Sequence, residues 1–145
     1  MYELIVHDDA ADDLARILEH DPPAGVLLIA LLEQLECDQD LLDRLTQNGF
    51  GGRPAHPQPR TAKFNVRTWG QAQIHNMNMW RLRGFDDECS DYRCIYAFQP
   101  LIDTYVILGI GRKADTATKI EEFDYELDSD LSLRIQAAYR QLMEE

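Results

Sequence analysis

Hydrophobic residues recur every three to four positions in the first third of the chain, which is the spacing of an amphipathic helix. Leu14, Ile17 and Leu18 form such an apolar stripe, and Asp8 and Asp9 precede it as residues that can cap the helix. The pattern predicts, in order, a strand over 2–7, a helix that stops at the prolines at 22 and 23, a second helix over 24–36 and a helical turn over 40–46. A first strand and a helical hairpin are therefore expected.

The hydrophobic period changes to two after a segment rich in glycine and proline at 49–60, which we predict to be a loop. Alternating runs then predict strands near 64–66, 78–83, 92–98 and 104–111. Short connections between such runs favour an antiparallel meander. A last apolar stripe, which includes Leu131 and Ile135, predicts a helix over 129–145.

The order of these elements indicates an α+β fold. We expect an N-terminal strand and helical hairpin, an antiparallel sheet of four to five strands and a C-terminal helix, within a single domain over 1–145. The first residues contain no basic region followed by a long apolar run, and the most apolar stretch, 26–32, is too short to cross a bilayer. A cytoplasmic protein with no membrane partner is therefore expected.

The net charge of −12 argues at first against a nucleic-acid partner, but the charges are unevenly distributed. Residues 1–50 have a net charge of −10, residues 51–113 of +4, and residues 114–145 of −6. A basic middle between acidic ends indicates where an anion would bind, although not which anion. The simpler interpretation of the acidic ends is that they form solvated helix faces.

The cysteines and histidines show no metal-binding spacing. The three cysteines, Cys37, Cys89 and Cys94, form no C-x-x-C pair, and the four histidines are scattered. We therefore expect free thiols and no metal or other cofactor.

Arginine occurs in the predicted strands, where it is poorly suited to the interior of a sheet. Arg81 and Arg83 are two residues apart and so share one face of a strand, while Arg93 begins the next strand and Arg112 ends the last. Several guanidinium groups on one sheet face would form a patch that binds phosphate oxygens. The alternative for each arginine is an ion pair with one of the many acidic residues.

Three segments that contain these arginines resemble the RelE/ParE superfamily of toxins from type II toxin–antitoxin systems. They are 80–83 (WRLR), 92–98 (YRCIYAF) and 106–112 (VILGIGR), and aromatic residues follow at Phe123 and Tyr125, before the last predicted helix. The resemblance is specific over about residues 77–125 and loose before them. It implies the same α+β fold.

The resemblance also implies an activity, namely ribosome-dependent cleavage of mRNA that blocks translation. Arg81, Arg93 and Arg112 would hold the scissile phosphate, and Tyr125, or alternatively Phe123, would stack on or activate the nucleotide. The ribose 2′-hydroxyl would attack the adjacent phosphate to leave a cyclic phosphate, without a metal. The implied partners are a cognate antitoxin protein, the ribosome and mRNA.

Arg83 and His75 lie in or next to the same predicted strand. Arg83 looks like the structural arginine of the family. His75 precedes a predicted strand and is a candidate general base, because histidine titrates near neutral pH; a solvated loop histidine is the alternative.

The sequence departs from the ribonuclease pattern in three respects. Met79 stands where ribonuclease members often have a lysine, twelve residues separate Arg112 from Tyr125, and the chain is strongly acidic. Two alternatives therefore remain open. One is a ParE-like inhibitor of DNA gyrase that cleaves no RNA, and the other is an inactive member retained for protein interaction.

Overall fold

A computed structural model of the chain describes residues 1–113 and 122–144, and its elements follow the predicted order. The helices are α1 (Asp8–His20), α2 (Pro22–Glu36), α3 (Gln39–Asp43), α4 (Gly70–Ile74) and α5 (Asp130–Glu144), with short 3-10 turns at Arg44–Thr46 and Pro100–Ile102. The strands are β1 (Glu3–Val6), β2 (Gly51–Arg53), β3 (His56–Gln58), β4 (Phe64–Thr68), β5 (Met79–Gly84), β6 (Tyr92–Gln99), β7 (Thr104–Lys113) and β8 (Glu122–Phe123). None of the helices within these residues is long and apolar enough to cross a membrane.

The main sheet has the strand order β1-β7-β6-β5-β4. Strands β4 to β7 pair antiparallel, as the short connections predicted, and the predicted α+β class is confirmed. Strand β1 pairs parallel with the start of β7, and β8 pairs parallel with its end, so the sheet is mixed. Both short strands lie along the same edge of β7.

The two faces of the sheet carry separate hydrophobic cores, because successive side chains of a strand point to opposite faces. One core packs the sheet against α1, α2 and α3 and contains Leu82, Cys94 and Tyr96. The other packs the opposite face against α5 and contains Met79 and Ile95. The amphipathic C-terminal helix thus covers the sheet, as its apolar stripe predicted.

The helical hairpin begins and turns as its polar residues and prolines require. Asp8 and Asp9 lie in the first turn of α1, but the side chain that caps the helix is that of His7, whose Nδ1 accepts from the backbone N–H of Asp9 at 3.0 Å. Pro22 and Pro23 end α1 and form the first turn of α2, where a missing N–H costs no hydrogen bond.

The segment predicted to be a loop at 49–60 contains an additional antiparallel hairpin, β2–β3. Gly51 has a φ of +90°, and a Cβ atom there would lie 2.0 Å from the carbonyl oxygen of Phe64. Only glycine therefore allows the hairpin to approach β4 this closely. A hairpin this short, rich in glycine and proline, leaves little alternation in the sequence from which to predict it.

Candidate functional site

Three strand arginines lie on one face of the sheet, next to the core that α5 covers. Arg81 is in register with Ile95 of the neighbouring strand, so alternation places Arg81, Arg83 and Arg93 on this common face. Arg67 of β4 is in register with Arg81 and adds a fourth side chain. We refer to Arg67, Arg81, Arg83 and Arg93 as the arginine cluster.

Neutral oxygen atoms anchor the three inner arginines of the cluster. Arg81 donates from Nη1 to Oδ1 of Asn65. The backbone carbonyl of Ser90 accepts from Nε of Arg83 at 2.9 Å and from Nη1 of Arg93 at 2.7 Å. Each guanidinium is thus oriented by a neutral oxygen rather than by a carboxylate.

Further N–H donors of these arginines remain available. Among the described residues, Nε and Nη2 of Arg81, both Nη atoms of Arg83 and Nη2 of Arg93 have no hydrogen-bond partner. In the described part of the chain, the fully buried side-chain polar atoms without a partner belong to Arg16 and Arg134. The unpartnered atoms of Arg81, Arg83 and Arg93 therefore keep some accessible surface.

No acidic side chain within the described ranges forms an ion pair with any member of the cluster. Arg81 and Arg93 are nevertheless only 7% and 6% exposed. Burial lowers the pKa of Arg81 to about 10; Tyr125 acts against this shift, and the neighbouring charges of Arg93, Arg67 and Arg83 add to it. Asp91 acts electrostatically on Arg83 but forms no ion pair with it. Like charges that are held together without a paired carboxylate are typical of a site that binds an anion.

Tyr125 is fixed against this cluster by three contacts. Its hydroxyl accepts from Nε of Arg93 at 2.8 Å, and its carbonyl accepts from Nε1 of Trp69 at 2.7 Å. Its ring packs against that of Phe123, with centroids 4.7 Å apart. The φ of Tyr125 is +66°, a left-handed conformation that is rare for a bulky residue and that the surrounding contacts must hold in place.

Phe123 and His75, the other two candidate residues from the sequence, do not contact the arginine cluster. Phe123 is fully buried and packs edge-on against Trp69, with ring centroids 5.0 Å apart, so it belongs to the core. Tyr125 is the aromatic residue that reaches the arginines. His75 is exposed at the C-terminal end of α4, and no hydrogen bond or ion pair within the described residues connects it to the cluster.

Arg112 lies on the other face of the sheet. It is in register with Tyr92, whereas Gly111 is opposite Arg93. The cause is a β-bulge: the register shifts between Ile95 and Tyr96, and one extra residue in β7 reverses the facing of all later side chains. Of the predicted residues, Arg81, Arg93 and Tyr125 come together, and Arg112 does not join them.

Arg112 instead lines a cleft of about 470 Å³ between α1 and the sheet. Asp13, Arg16 and Asp21 line the same cleft. Tyr92 also faces it and donates its hydroxyl hydrogen to Oδ2 of Asp21 at 3.0 Å. Burial and Asp21 raise the pKa of Tyr92 to about 12. Cations and carboxylates are mixed in this cleft, unlike in the arginine cluster.

Sequence reasoning missed two residues of the site, Asn65 and Arg67. Both alternate along β4 with Phe64 and Val66, which are buried in the core against α1, α2 and α3. This period of two was the signal that could have placed Asn65 and Arg67 on the opposite face. The described part of the chain contains no group of three or more His, Cys, Asp or Glu side chains arranged to hold a metal. Its cysteines are free thiols.

Comparison of the chain with models of protein families, with curated proteins and with solved structures found no match.

Proposed function

We propose that this chain is the toxin of a toxin–antitoxin pair and acts as a metal-independent, ribosome-dependent mRNA endoribonuclease that blocks translation. One observation carries the proposal: Arg81, Arg83 and Arg93 share a sheet face, are anchored by neutral oxygens, and have no carboxylate partner among the described residues. Such a face fits a phosphodiester, because a guanidinium presents paired donors to phosphate oxygens. The motifs that resemble the RelE/ParE superfamily supply the choice of RNA.

The chemistry requires a bond from the ribose 2′-oxygen to phosphorus and cleavage of the bond from phosphorus to the 5′-oxygen. Free N–H groups of Arg81 and Arg93 would donate to the non-bridging oxygens, whose negative charge grows in the pentacoordinate transition state. Water takes the proton of the 2′-hydroxyl and gives one to the departing 5′-oxygen, so the number of protons is unchanged. Tyr125 would orient the nucleotide, because its hydroxyl accepts from Nε of Arg93 at 2.8 Å and so lies beside the groups that bind the phosphate. The products are a 2′,3′-cyclic phosphate and a 5′-hydroxyl.

The proposed partners follow from the same surface. Arginines without carboxylate partners favour binding of a protein that supplies carboxylates. The resemblance implies that this protein is a small antitoxin, which folds on the sheet or displaces α5. The ribosome and mRNA are the proposed targets when the toxin is free. A cytoplasmic location is part of this proposal.

A second candidate function is inhibition of DNA gyrase without RNA cleavage, as in ParE-like toxins. The placement of Arg112 on the opposite face favours it, because one of the three proposed phosphate ligands is absent from the cluster. Met79, which stands in place of a lysine, is fully buried and adds no charge. The two candidates differ in which cellular process stops first.

The test is expression of the chain alone in a bacterial host, with incorporation of labelled amino acids and of thymidine followed over time. Parent protein should stop amino-acid incorporation, and Arg81→Gln and Tyr125→Phe should each restore it at least tenfold. Arg140→Gln, on the exposed face of α5, is the matched control and should remain toxic. Sequencing of RNA ends should reveal new 5′-hydroxyl termini.

Two results would reject the endoribonuclease. Arrest of thymidine incorporation with an SOS response, while amino acids are still incorporated, would identify the gyrase inhibitor instead. Full toxicity of folded Arg81→Gln protein would remove the arginine cluster from either mechanism.

A further inference from the structure

Strand β1 lies at the end of the main sheet and pairs on one side only, with β7. The backbone N–H groups of Glu3 and His7 donate to carbonyl oxygens in and just before β7, at 3.1 and 2.9 Å. The peptide groups of a strand point alternately to its two sides, so those of Glu3, Ile5 and His7 face β7. The N–H and C=O groups of Leu4 and Val6 therefore face away from the sheet.

Two structural features mark the ends of this open edge. At one end, the side-chain amide of Gln39 accepts from the N–H of Tyr2 at 2.7 Å and donates to its carbonyl at 2.9 Å. At the other end, the backbone becomes helical at Asp8, where α1 begins. Between these ends, the outward N–H and C=O groups of Leu4 and Val6 have no hydrogen-bond partner among the described residues.

The side chains of β1 leave this edge accessible. Ile5 is 47% exposed, and Val6 is partly exposed. A cavity of about 120 Å³ lies beside the strand, lined by Leu4 and Val6 together with residues of α1 and α2. Edge strands that stay unpaired commonly carry lysine, proline or a β-bulge, and β1 has none of these. The strand is therefore open to a partner strand.

We propose that two copies of this chain associate through the outer edges of β1, which pair antiparallel about a two-fold axis at Ile5. The main sheet then continues from one copy into the other. This inference goes beyond the proposed function and does not depend on it.

One symmetric register uses the free peptide groups of both strands. Residues that face each other across an antiparallel pair exchange N–H and C=O hydrogen bonds, so pairing Leu4 with Val6 of the second copy satisfies all of these groups. A register centred on Leu4 would pair Val6 with Tyr2, whose peptide groups are occupied by Gln39. A register centred on Val6 would pair Leu4 with Asp8, which is helical.

The same register places complementary side chains opposite each other. Ile5 lies opposite Ile5 of the second copy, in a pair whose Cα atoms are about 4.5 Å apart. Contact between these side chains covers the part of Ile5 that a single chain leaves exposed. Glu3 lies opposite His7 of the second copy, which pairs a carboxylate with an imidazole. This self-complementarity favours a second copy over a strand of another protein.

The experiment measures the mass of the purified chain by sedimentation velocity over a range of protein concentrations. The salt concentration is chosen to screen the repulsion between two chains of net charge −12. The parent should shift from monomer to dimer as its concentration rises. Ile5→Lys should weaken the association about tenfold, because it replaces an apolar cross-strand pair with two like charges. Ile74→Lys changes another exposed isoleucine, on α4, and is the matched control that should associate as the parent does.

Disulfide trapping tests the register. Cys37→Ser first removes the exposed native thiol, since Cys89 and Cys94 are buried. In this background, Ile5→Cys should form a covalent dimer on mild oxidation, because a Cα separation of about 4.5 Å lies within the range of disulfides. Ile74→Cys should stay monomeric under the same conditions.

Three results would overturn the proposal. The first is a parent that stays monomeric at every concentration. The second is a dimer that folded Ile5→Lys protein forms as readily as the parent, and the third is crosslinking of Ile74→Cys as efficient as that of Ile5→Cys. Trapping decides the case if Ile5→Lys does not fold.

Discussion

The arginine cluster predicts that one buried charge destabilises the fold and that its removal makes the protein more stable. Arg81 is 7% exposed, and burial together with its cationic neighbours lowers its pKa from 12.5 to about 10. One pKa unit corresponds to about 1.4 kcal/mol, so the charged form costs the folded state roughly 3 kcal/mol. Arg81→Gln removes this cost and keeps an amide that can donate to Asn65.

The net gain is smaller than the electrostatic cost. Loss of the charged hydrogen bond to Asn65 and of guanidinium packing takes back about 1–2 kcal/mol. We expect Arg81→Gln to increase the free energy of unfolding by about 1–2 kcal/mol and to raise Tm by roughly 3–6 °C. The same substitution should abolish toxicity, because a site that binds a substrate anion is stabilised by that anion and not by the fold.

The pH dependence follows from the direction of the shift. A base whose folded pKa is below its unfolded pKa destabilises the fold at every pH below the folded value, and the penalty is relieved only as pH rises from about 10 towards 12.5. The gain in Arg81→Gln should therefore be constant between about pH 6 and 9.

Urea denaturation followed by circular dichroism measures this gain, with Arg140→Gln as the exposed control, which should change stability by less than about 0.5 kcal/mol. A decrease of more than about 1 kcal/mol in Arg81→Gln would refute the reasoning. The charge of Arg81 would then be compensated within the fold, and the cluster would be structural.

Two further predictions concern one contact that stabilises the fold and one that holds Tyr125 in place. Asp13→Asn should lower the free energy of unfolding by about 3 kcal/mol in urea denaturation. The Asp13 carboxylate is 1% exposed, accepts from the backbone N–H of Ile110 at 2.9 Å and pairs with Arg134. An unchanged stability would show that this carboxylate is dispensable. Trp69→Phe should lower the free energy of unfolding by about 1 kcal/mol or more and should reduce toxicity in the growth assay, because it removes the indole N–H that donates to the carbonyl of Tyr125. Full toxicity of this variant would contradict the role of that hydrogen bond.

Asp13 illustrates a contact that no reading of the sequence indicated. It lies on α1, yet it meets β7 through Ile110 and α5 through Arg134. Its carboxylate binds the β7 edge between the segments that pair with β1 and β8, where no strand of the described residues pairs. An aspartate in the first turns of an acidic helix has no local signal that separates it from its solvated neighbours, because the partners are about one hundred residues away in sequence.

Local hydrophobic patterns were sufficient to predict most helices and strands, and to predict that Arg81 and Arg83 share one face of a strand. Helical periodicity predicted α1, α2 and α5, and alternation predicted β4 to β7 and the common facing of Arg81 and Arg83. These features depend only on the geometry of a helix or strand, which repeats within a few residues. The sequence also indicated a basic middle segment, and four of its arginines, Arg67, Arg81, Arg83 and Arg93, lie on one face of the sheet.

The tertiary structure alone decided which of the predicted residues meet. The extra residue at the β-bulge in β7 turns Arg112 away from Arg93, and the order of polar and apolar residues does not encode that slip. Phe123 packs in the core against Trp69, and the hydrogen bond from Trp69 holds the backbone of Tyr125, so Tyr125 is the aromatic residue that reaches the site. Sequence periodicity determines the face of each strand locally, whereas register and long-range contacts, which arise only when distant segments pack, determine the composition of the site.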